Sequence, residues 1–274
     1  ERALPEGLTL REVSPYEGDF ELPLENGRYG LCGYDWSYTG NPMGEDYRIN
    51  PNCADNSAGD EASQIQQMQN GMAGWNNSGA DFAFTYGGTS SQNAVSYNGT
   101  NLMYFDLTPP DGGGYIAANY HWVQGANMIE SDIVFNDAGY TWWNGSGSCN
   151  WMMDIWNIAT HELGHTLCLL DLYGGGDTQK TMYGYANHCE IKKRTLHQDD
   201  INGIIAIYGV MVPENDDCYA GLLVYEDAYP FTNINATTDG PDEPDLCTFN
   251  GYSQIDSDVW FRYWPGCTGQ ATVD

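Results

Sequence analysis

The chain has 274 residues, 41% of them hydrophobic, enough for one large domain and a small one around a sizeable core. Its 38 acidic residues against 9 basic ones leave a formal net charge of −29, a balance that repels nucleic acid and anionic membrane surfaces. No apolar run is long enough to span a bilayer, and the 20 Tyr, 9 Trp and 33 Gly suit twisted sheets and long ordered loops better than a helical bundle.

Residues 1–27 are rich in Pro and Glu and read as a linker or propeptide remnant. The terminal Glu1-Arg-Ala-Leu-Pro5 is not a signal peptide, so a secreted protein would be represented here by a mature form or a fragment. Tyr47–Asn50 is a short strand stopped by Pro51. Between Asp60 and Asn76 apolar residues recur at Ala62, Ile65, Met68, Met72 and Trp75, which predicts an amphipathic helix with Ser57 or Asp60 as its N-cap. Asp81–Tyr86 alternates and ends at Gly87-Gly88, the pattern of a strand. Two more strands are expected at about 101–107 and 115–123, split by Pro109-Pro-Asp-Gly-Gly-Gly114, and another at Ile129–Phe135. A helix follows from about Met153 to Leu170, then the breaker Gly174-Gly-Gly-Asp177. A last helix from about Leu196 to Tyr208 is closed by Gly209 and Pro213.

Beyond Pro213 no helical pattern remains, and runs such as Leu222–Tyr225 and Val259–Tyr263 are strand-like. Residues 211–274 therefore read as a small β-rich accessory domain. It ends in another strand-like run, Ala271–Asp274, and is short of the roughly 100 residues of a complete sandwich, so it is expected to be truncated.

The eight cysteines are Cys32, Cys53, Cys149, Cys168, Cys189, Cys218, Cys247 and Cys267. No C-x-x-C pair occurs, which argues against a zinc ribbon or a thioredoxin-type site. Their spread points to an oxidising compartment.

The most informative segment is His161-Glu-Leu-Gly-His-Thr-Leu-Cys-Leu-Leu-Asp171. On a helix, positions i and i+4 share a face, so His161 and His165 can grip one metal ion from consecutive turns. Glu162 then stands beside the metal's open position, where a general base of a zinc hydrolase belongs. Hydrolytic zinc takes three protein ligands and keeps one position open. Asp171, six residues after His165, is near enough to reach back once the helix ends. Glu190 and Asp177 are other carboxylates that could complete the set.

This segment resembles the metzincin pattern H-E-x-x-H-x-x-G-x-x-H/D, in the Asp version of the snapalysin group. Thr181-Met-Tyr183 is similar to the metzincin turn that places a Met beneath the zinc, here Met182. Arg194–Gly209 resembles the closing helix of matrixins, Ser131–Asn136 with Trp142 their strand before the active-site helix, and Trp36 with Tyr47–Asn50 their first strand. The resemblance to matrixin-like, bacterial-type enzymes covers about residues 34–210. It implies an α+β catalytic domain over 28–210: a twisted, mostly parallel sheet with an antiparallel edge strand, an active-site helix and a C-terminal helix. It also implies a secreted zinc endopeptidase using one catalytic zinc held by His161, His165 and Asp171, with Glu162 as general base. Substrate peptide would pair with an edge strand near Tyr115–Tyr120, so Tyr115, Ile116, Ala117, Ala118 and Tyr183 are candidate substrate contacts. Structural calcium fits both the acidity and the resemblance. Expected partners are proteins or peptides, with a monomeric chain and a C-terminal domain suited to binding a surface or polymer.

Three departures from the family pattern are evident. Cys168 stands where metzincins carry the Gly at the helix exit, and a Cys168–Cys189 disulfide would hold that exit. Cys32, in Arg28–Asp35, lacks the Pro-Arg-Cys-Gly context of a zinc-blocking propeptide, and a bond to Cys53 is the favoured reading. No counterpart of the vertebrate His-Gly-Asp structural-zinc loop is evident; His121 is the only histidine upstream. Tyr183 and Tyr185 flank position +2 after the Met, which is Gly184, so neither is assigned an oxyanion role. Lys192-Lys-Arg194 reads either as a solvated run or as a source of preference for acidic substrates. Two other readings of the whole stay open: a catalytically silent adhesion or binding protein on this scaffold, and a zinc peptidase of another clan.

Overall fold

The computed structural model describes residues 7–12, 21–24, 27–37, 43–225, 229, 231, 233, 235–238 and 257–263. The chain divides into two compact units, Glu1–Gly209 and Val210–Asp274.

The first unit is built on a six-stranded mixed sheet. Its strands are β1 (Leu8–Glu12), β4 (Met43–Asn50), β5 (Phe82–Thr89), β6 (Asn101–Asp106), β7 (Ala117–Gln124) and β8 (Asn127–Asn136), in the order β1-β7-β8-β6-β4-β5. Pairings β8-β6, β6-β4 and β4-β5 are parallel; β7 is antiparallel to both β8 and β1. Parallel strands covered on both faces carry near-continuous apolar runs. β6 is such a strand: Asn101 to Phe105 is buried without alternation.

The helices lie against this sheet. In α1 (Glu61–Asn76) the side chain of Asp60 accepts from the Ser63 amide, an N-cap that satisfies one orphan donor of the first turn. Met68, Met72 and Trp75 form its buried stripe. α2 (Ile155–Thr166) is capped in the same way by Asp154, which accepts from Asn157 N. The two helices approach closely at Gly71, where a Cβ would stand 3.1 Å from the backbone of Thr160. Trp75 Nε1 donates to Thr160 O and Trp36 Nε1 to Thr166 O, so two buried indoles fix the height of α2. α3 (Gln198–Tyr208) closes the unit, ending at Gly209 with φ 79°.

Several details differ from the expectations. Residues 1–27, read as a linker or propeptide remnant, carry β1 and β2 (Glu21–Leu24). β1 pairs with β7 from Leu8↔Gln124 to Glu12↔Tyr120. The antiparallel strand expected at the edge is therefore flanked on both sides over Tyr120–Gln124. β3 (Gly27–Leu31) joins β2 and, through Leu31↔Leu169 and Gly30↔Leu170, the short β11 (Leu169–Leu170). The active-site helix ends at Thr166, not near Leu170, because Cys168 turns the backbone to φ 69° and the chain leaves as β11. Its start is set by β9 (Trp142–Trp143) pairing with β10 (Met153–Asp154).

Both expected disulfides are replaced by others. Cys32 bonds to Cys168 and Cys149 to Cys189, while Cys53 is a free thiol. The reason is strand pairing over long sequence distance: β3 against β11 brings the Cα atoms of Cys32 and Cys168 to 5.1 Å. Cys189 N donates to Met152 O, and this contact sets Cys189 beside Cys149. The Cys53 thiol donates instead to Asp137 at 3.4 Å, and burial pushes its pKa up.

In the second unit, β12 (Leu222–Val224) and β13 (Phe261–Tyr263) pair in parallel. Trp260 N donates to Asn215 O at 2.7 Å, and Leu222 N to Trp260 O. The run Ala271–Asp274, Cys247 and Cys267 lie outside the described residues.

Candidate active site

Successive turns of α2 deliver His161 and His165 to one point, and the exit through Cys168 and β11 returns Asp171 to it. Asp171 Oδ1 lies 3.1 Å from His161 Nε2 and 3.6 Å from His165 Nε2. One ligand atom from each of the three residues falls within a 4.8 Å set. Ligands held about 2.0–2.1 Å from a tetrahedral ion are about 3.3–3.4 Å apart, so this spacing fits zinc. Each imidazole is oriented through its other nitrogen: His161 Nδ1 to Thr181 O and His165 Nδ1 to Leu169 O, both at 2.8 Å. With Nδ1–H donating, the Nε2 lone pairs face Asp171. Burial, with Lys193 second, lowers the pKa of His161 to about 4, which keeps it in the neutral, ligand-competent form. Asp171 Oδ1 and Glu162 Oε2 are buried with no hydrogen-bond partner, as atoms meant for a cation or its water would be.

Glu162 is 4% exposed. Burial, then the charge of Asp171, pushes its carboxyl up to about 8, with Lys193 acting the other way. A bound dication would pull it down. For Asp171, burial is outweighed by His165, His161 and Lys193, and its carboxyl lies well below the usual range.

The turn at Met182 is a built feature. Leu172 N donates to Met182 O and Gly184 N to Leu172 O. Thr181 N donates to Asp200 Oδ2 at 2.7 Å, so α3 holds the turn from behind. Met182 is buried, and its sulfur fills the space a Cβ on Gly164 would take. Lys180 bridges Asp177 at 2.9 Å and Asp199 at 2.8 Å just ahead of the turn. Asp177 is thus engaged away from the two imidazoles, and Glu190 pairs with Lys192 at 3.3 Å.

The expected substrate contacts are distributed across two faces. Ile116 and Ala117 pack on the main core, on the α2 side of the sheet; Tyr115 and Ala118 belong to a second cluster with Leu102, Tyr104, Tyr120 and Val134. Asn119, which sequence reading passed over, donates to Glu162 O at 2.7 Å and to Thr166. Tyr183 carries the Lys192 ammonium 5.1 Å from its ring centre. Within the basic run Lys192 and Arg194 are partly exposed and paired with Glu190 and Asp154, while Lys193 is buried. His121 is buried against Tyr34, 3.1 Å from its phenol.

Two further residues stand at the site without a local sequence pattern that assigns them there. Tyr173 donates from its phenol to Asp171 Oδ2 at 3.1 Å. Lys193 places Nζ 3.2 Å from His161 Nδ1 and donates to Tyr183 O. Burial lowers its pKa to about 8, against the pull of Asp171, Glu190 and Glu162.

Helices α1 to α3, the site and the sheet strands from β4 to β8, apart from Met43, lie within residues 44–209, the stretch that matches the matrixin family profile. The chain belongs to the matrixin family. Over 105 residues it is 38% identical to neutrophil collagenase of Homo sapiens, an alignment covering 38% of this chain and 20% of that protein. Over 104 residues it is 36% identical to matrix metalloproteinase-18 of Xenopus laevis, again covering 38% of this chain and 20% of that protein. The matched stretch thus amounts to about a fifth of the length of these relatives.

Proposed function

We propose that this protein is a secreted zinc endopeptidase whose metal is held by His161, His165 and Asp171, with Glu162 as general base. The observation that carries this reading is the convergence of two Nε2 atoms and one carboxylate oxygen, left without other partners, beside a buried Glu. Family membership supports it. When bound, zinc supplies Lewis acidity, lowering the pKa of water in its open position toward about 7 and drawing charge from the scissile carbonyl.

The chain's own residues do the rest. Glu162 takes a proton from the attacking water on its carboxylate and delivers it to the leaving amine nitrogen. Its backbone carbonyl is tied to Asn119, which fixes the carboxylate's origin relative to β7. Residues 115–119 lie ahead of the β1 register, and their main chain is the stretch on which we place an extended substrate. Tyr183, next to the buried Met182, is the remaining substrate contact in this reading. Residues 211–274 act in this reading as a small β-rich accessory module for a surface or polymer. Structural calcium and a single zinc per chain belong to the same proposal.

No helix of the described residues is long and apolar enough to cross a membrane. Two disulfides fit an oxidising, extracellular setting. The test is cleavage of casein or gelatin with and without a chelator. Cleavage that stops on chelation and returns with added zinc supports the reading. Chelator-resistant cleavage points to another catalytic class, and intact zinc binding without cleavage points to a silent binding protein.

A further inference from the structure

One edge of β7 is divided along its length. Over Tyr120–Gln124 it is taken by β1, which runs antiparallel to it from Leu8↔Gln124 to Glu12↔Tyr120. Among the described residues no strand pairs with Ala117–Asn119 on that edge, and β8 holds the opposite one. This open stretch is level with the candidate chemistry, because Asn119 donates from its side chain to Glu162 O at 2.7 Å. β1 is anchored beyond its ladder as well. Arg11 faces His121 in the register, its guanidinium carbon lies 5.9 Å from the centre of the Tyr34 ring, and the Tyr34 phenol is 3.1 Å from His121 Nδ1. A cation within about 6 Å of an aromatic face is attracted to it, so β1 is tied to β7 by a side-chain contact as well as by its main chain.

We propose that β1 is a specificity-determining stop on the substrate strand, ending the run of substrate residues that β7 can pair ahead of the cut. The inference rests on the endopeptidase reading above and sharpens it. An extended peptide laid on residues 115–119 in the antiparallel sense, the more stable pairing, runs the same way as β1. Its N-terminal end then points at Glu12. The place opposite Tyr120 already belongs to Glu12, so the most upstream substrate residue to pair with β7 is the one opposite Asn119. The cut falls beside Glu162, within this short stretch, and only a few residues before it gain main-chain pairing. Residues further upstream meet the end of β1 and gain nothing from β7. The protein therefore selects substrates by what lies close to the cut and after it, and accepts chains whose upstream part bends away from the sheet.

The test is a series of quenched peptides, identical from the cut onward and lengthened upstream from about two to about eight residues before it. For the wild-type chain kcat/KM is expected to rise over the first few added residues and then to stay level within about twofold. Thr9→Pro/Leu10→Pro releases β1. Neighbouring residues of an antiparallel pair alternate between bonding across the ladder and facing away, so the double substitution removes a ladder donor at whichever of the two carries it. The variant is expected to cleave short peptides as wild type does, and long ones about tenfold better than short ones, through lower KM, as several new cross-strand pairs add up. If the double variant does not fold, Thr9→Pro and Leu10→Pro are compared singly, and the one that loses the ladder bond must show the gain. A wild-type kcat/KM that keeps climbing with upstream length overturns the proposal. So does a released variant with no length-dependent gain, including one in which all lengths fall alike, which leaves β1 a purely structural strand. Absence of chelator-sensitive cleavage at every length removes the endopeptidase reading, and the proposal with it, a result distinct from either of these.

Discussion

Tyr173 donates from its phenol to Oδ2 of Asp171 at 3.1 Å, so the carboxylate presents Oδ1 to both imidazoles. The ring is placed by its neighbour across the Met182 turn: a Cβ on Gly184 would lie 2.4 Å from Tyr173 Cε1. Outer groups that orient a ligand commonly change metal affinity by about 10–100-fold when removed. Tyr173→Phe is therefore expected to weaken zinc within that range without loss of fold. Gly184→Ala should do the same by displacing the ring. Chelator competition checks both, and wild-type affinity in each would assign Tyr173 no part in holding Asp171.

Glu162 touches no partner through Oε2, so its carboxylate is available for proton transfer. Glu162→Gln preserves shape and removes the base. Peptide hydrolysis is expected to fall by about 10²–10⁴ in kcat, with zinc content unchanged. Stopped-assay kinetics beside metal analysis measures this; near-native turnover would place the base elsewhere.

The Cys32–Cys168 bond spans 136 residues and closes on a residue at φ 69°. Removing a native disulfide commonly costs about 2–5 kcal/mol, and a side chain in left-handed backbone costs about 1–2 kcal/mol that Gly does not suffer. Cys32→Ala/Cys168→Ala should lose stability in the first range. Cys32→Ala/Cys168→Gly should recover about 1 kcal/mol of it. Denaturant melts of the two compare them directly, and a Gly variant less stable than the Ala one would contradict the backbone argument.

Asp132, wholly buried in β8, accepts from Ser96 N and Leu102 N, yet burial raises its carboxyl to about 8. The unfolded value is about 3.9. A raised folded pKa means that the protonated form is favoured in the fold. Its contribution is complete below about pH 4 and is lost as pH climbs through about 8. Most other carboxylates have already ionised by about pH 5.5. Zinc-saturated protein is thus expected to melt at progressively lower temperature from pH 5.5 to 8.5, roughly, and Asp132→Asn to flatten that slope. An equal slope in the variant would remove Asp132 from the account.

The parts legible in the sequence are those written in short spacing. The i, i+4 histidines, Glu162, the Met182 turn and the apolar stripe of α1 are local patterns, and α1 is bounded within a residue because Asp60 caps it just ahead of that stripe. What was not legible depends on long-range pairing. Cys168 announced an unusual helix exit, but its partner lies 136 residues upstream and is chosen by the register of β3 on β11. β1 alternates over only five residues, Leu8 to Glu12, and its place in the sheet is fixed by pairing with β7 more than a hundred residues away. Lys193 and Tyr173 look ordinary in sequence because their roles come from where Asn157 and Gly184 place them. The Lys192–Arg194 run reads as surface charge until Asp154, Glu190 and the site itself are seen to absorb it.

The central claim is that one zinc ion is held by His161, His165 and Asp171 while Glu162 serves the chemistry without holding it. Zinc per chain, measured by inductively coupled plasma mass spectrometry on wild type, Glu162→Ala and Asp171→Ala after identical zinc loading and dialysis, tests it most directly. The account predicts about one zinc in wild type and in Glu162→Ala, and far less than one in Asp171→Ala. Full zinc retention by Asp171→Ala, or loss of zinc from Glu162→Ala, would contradict it.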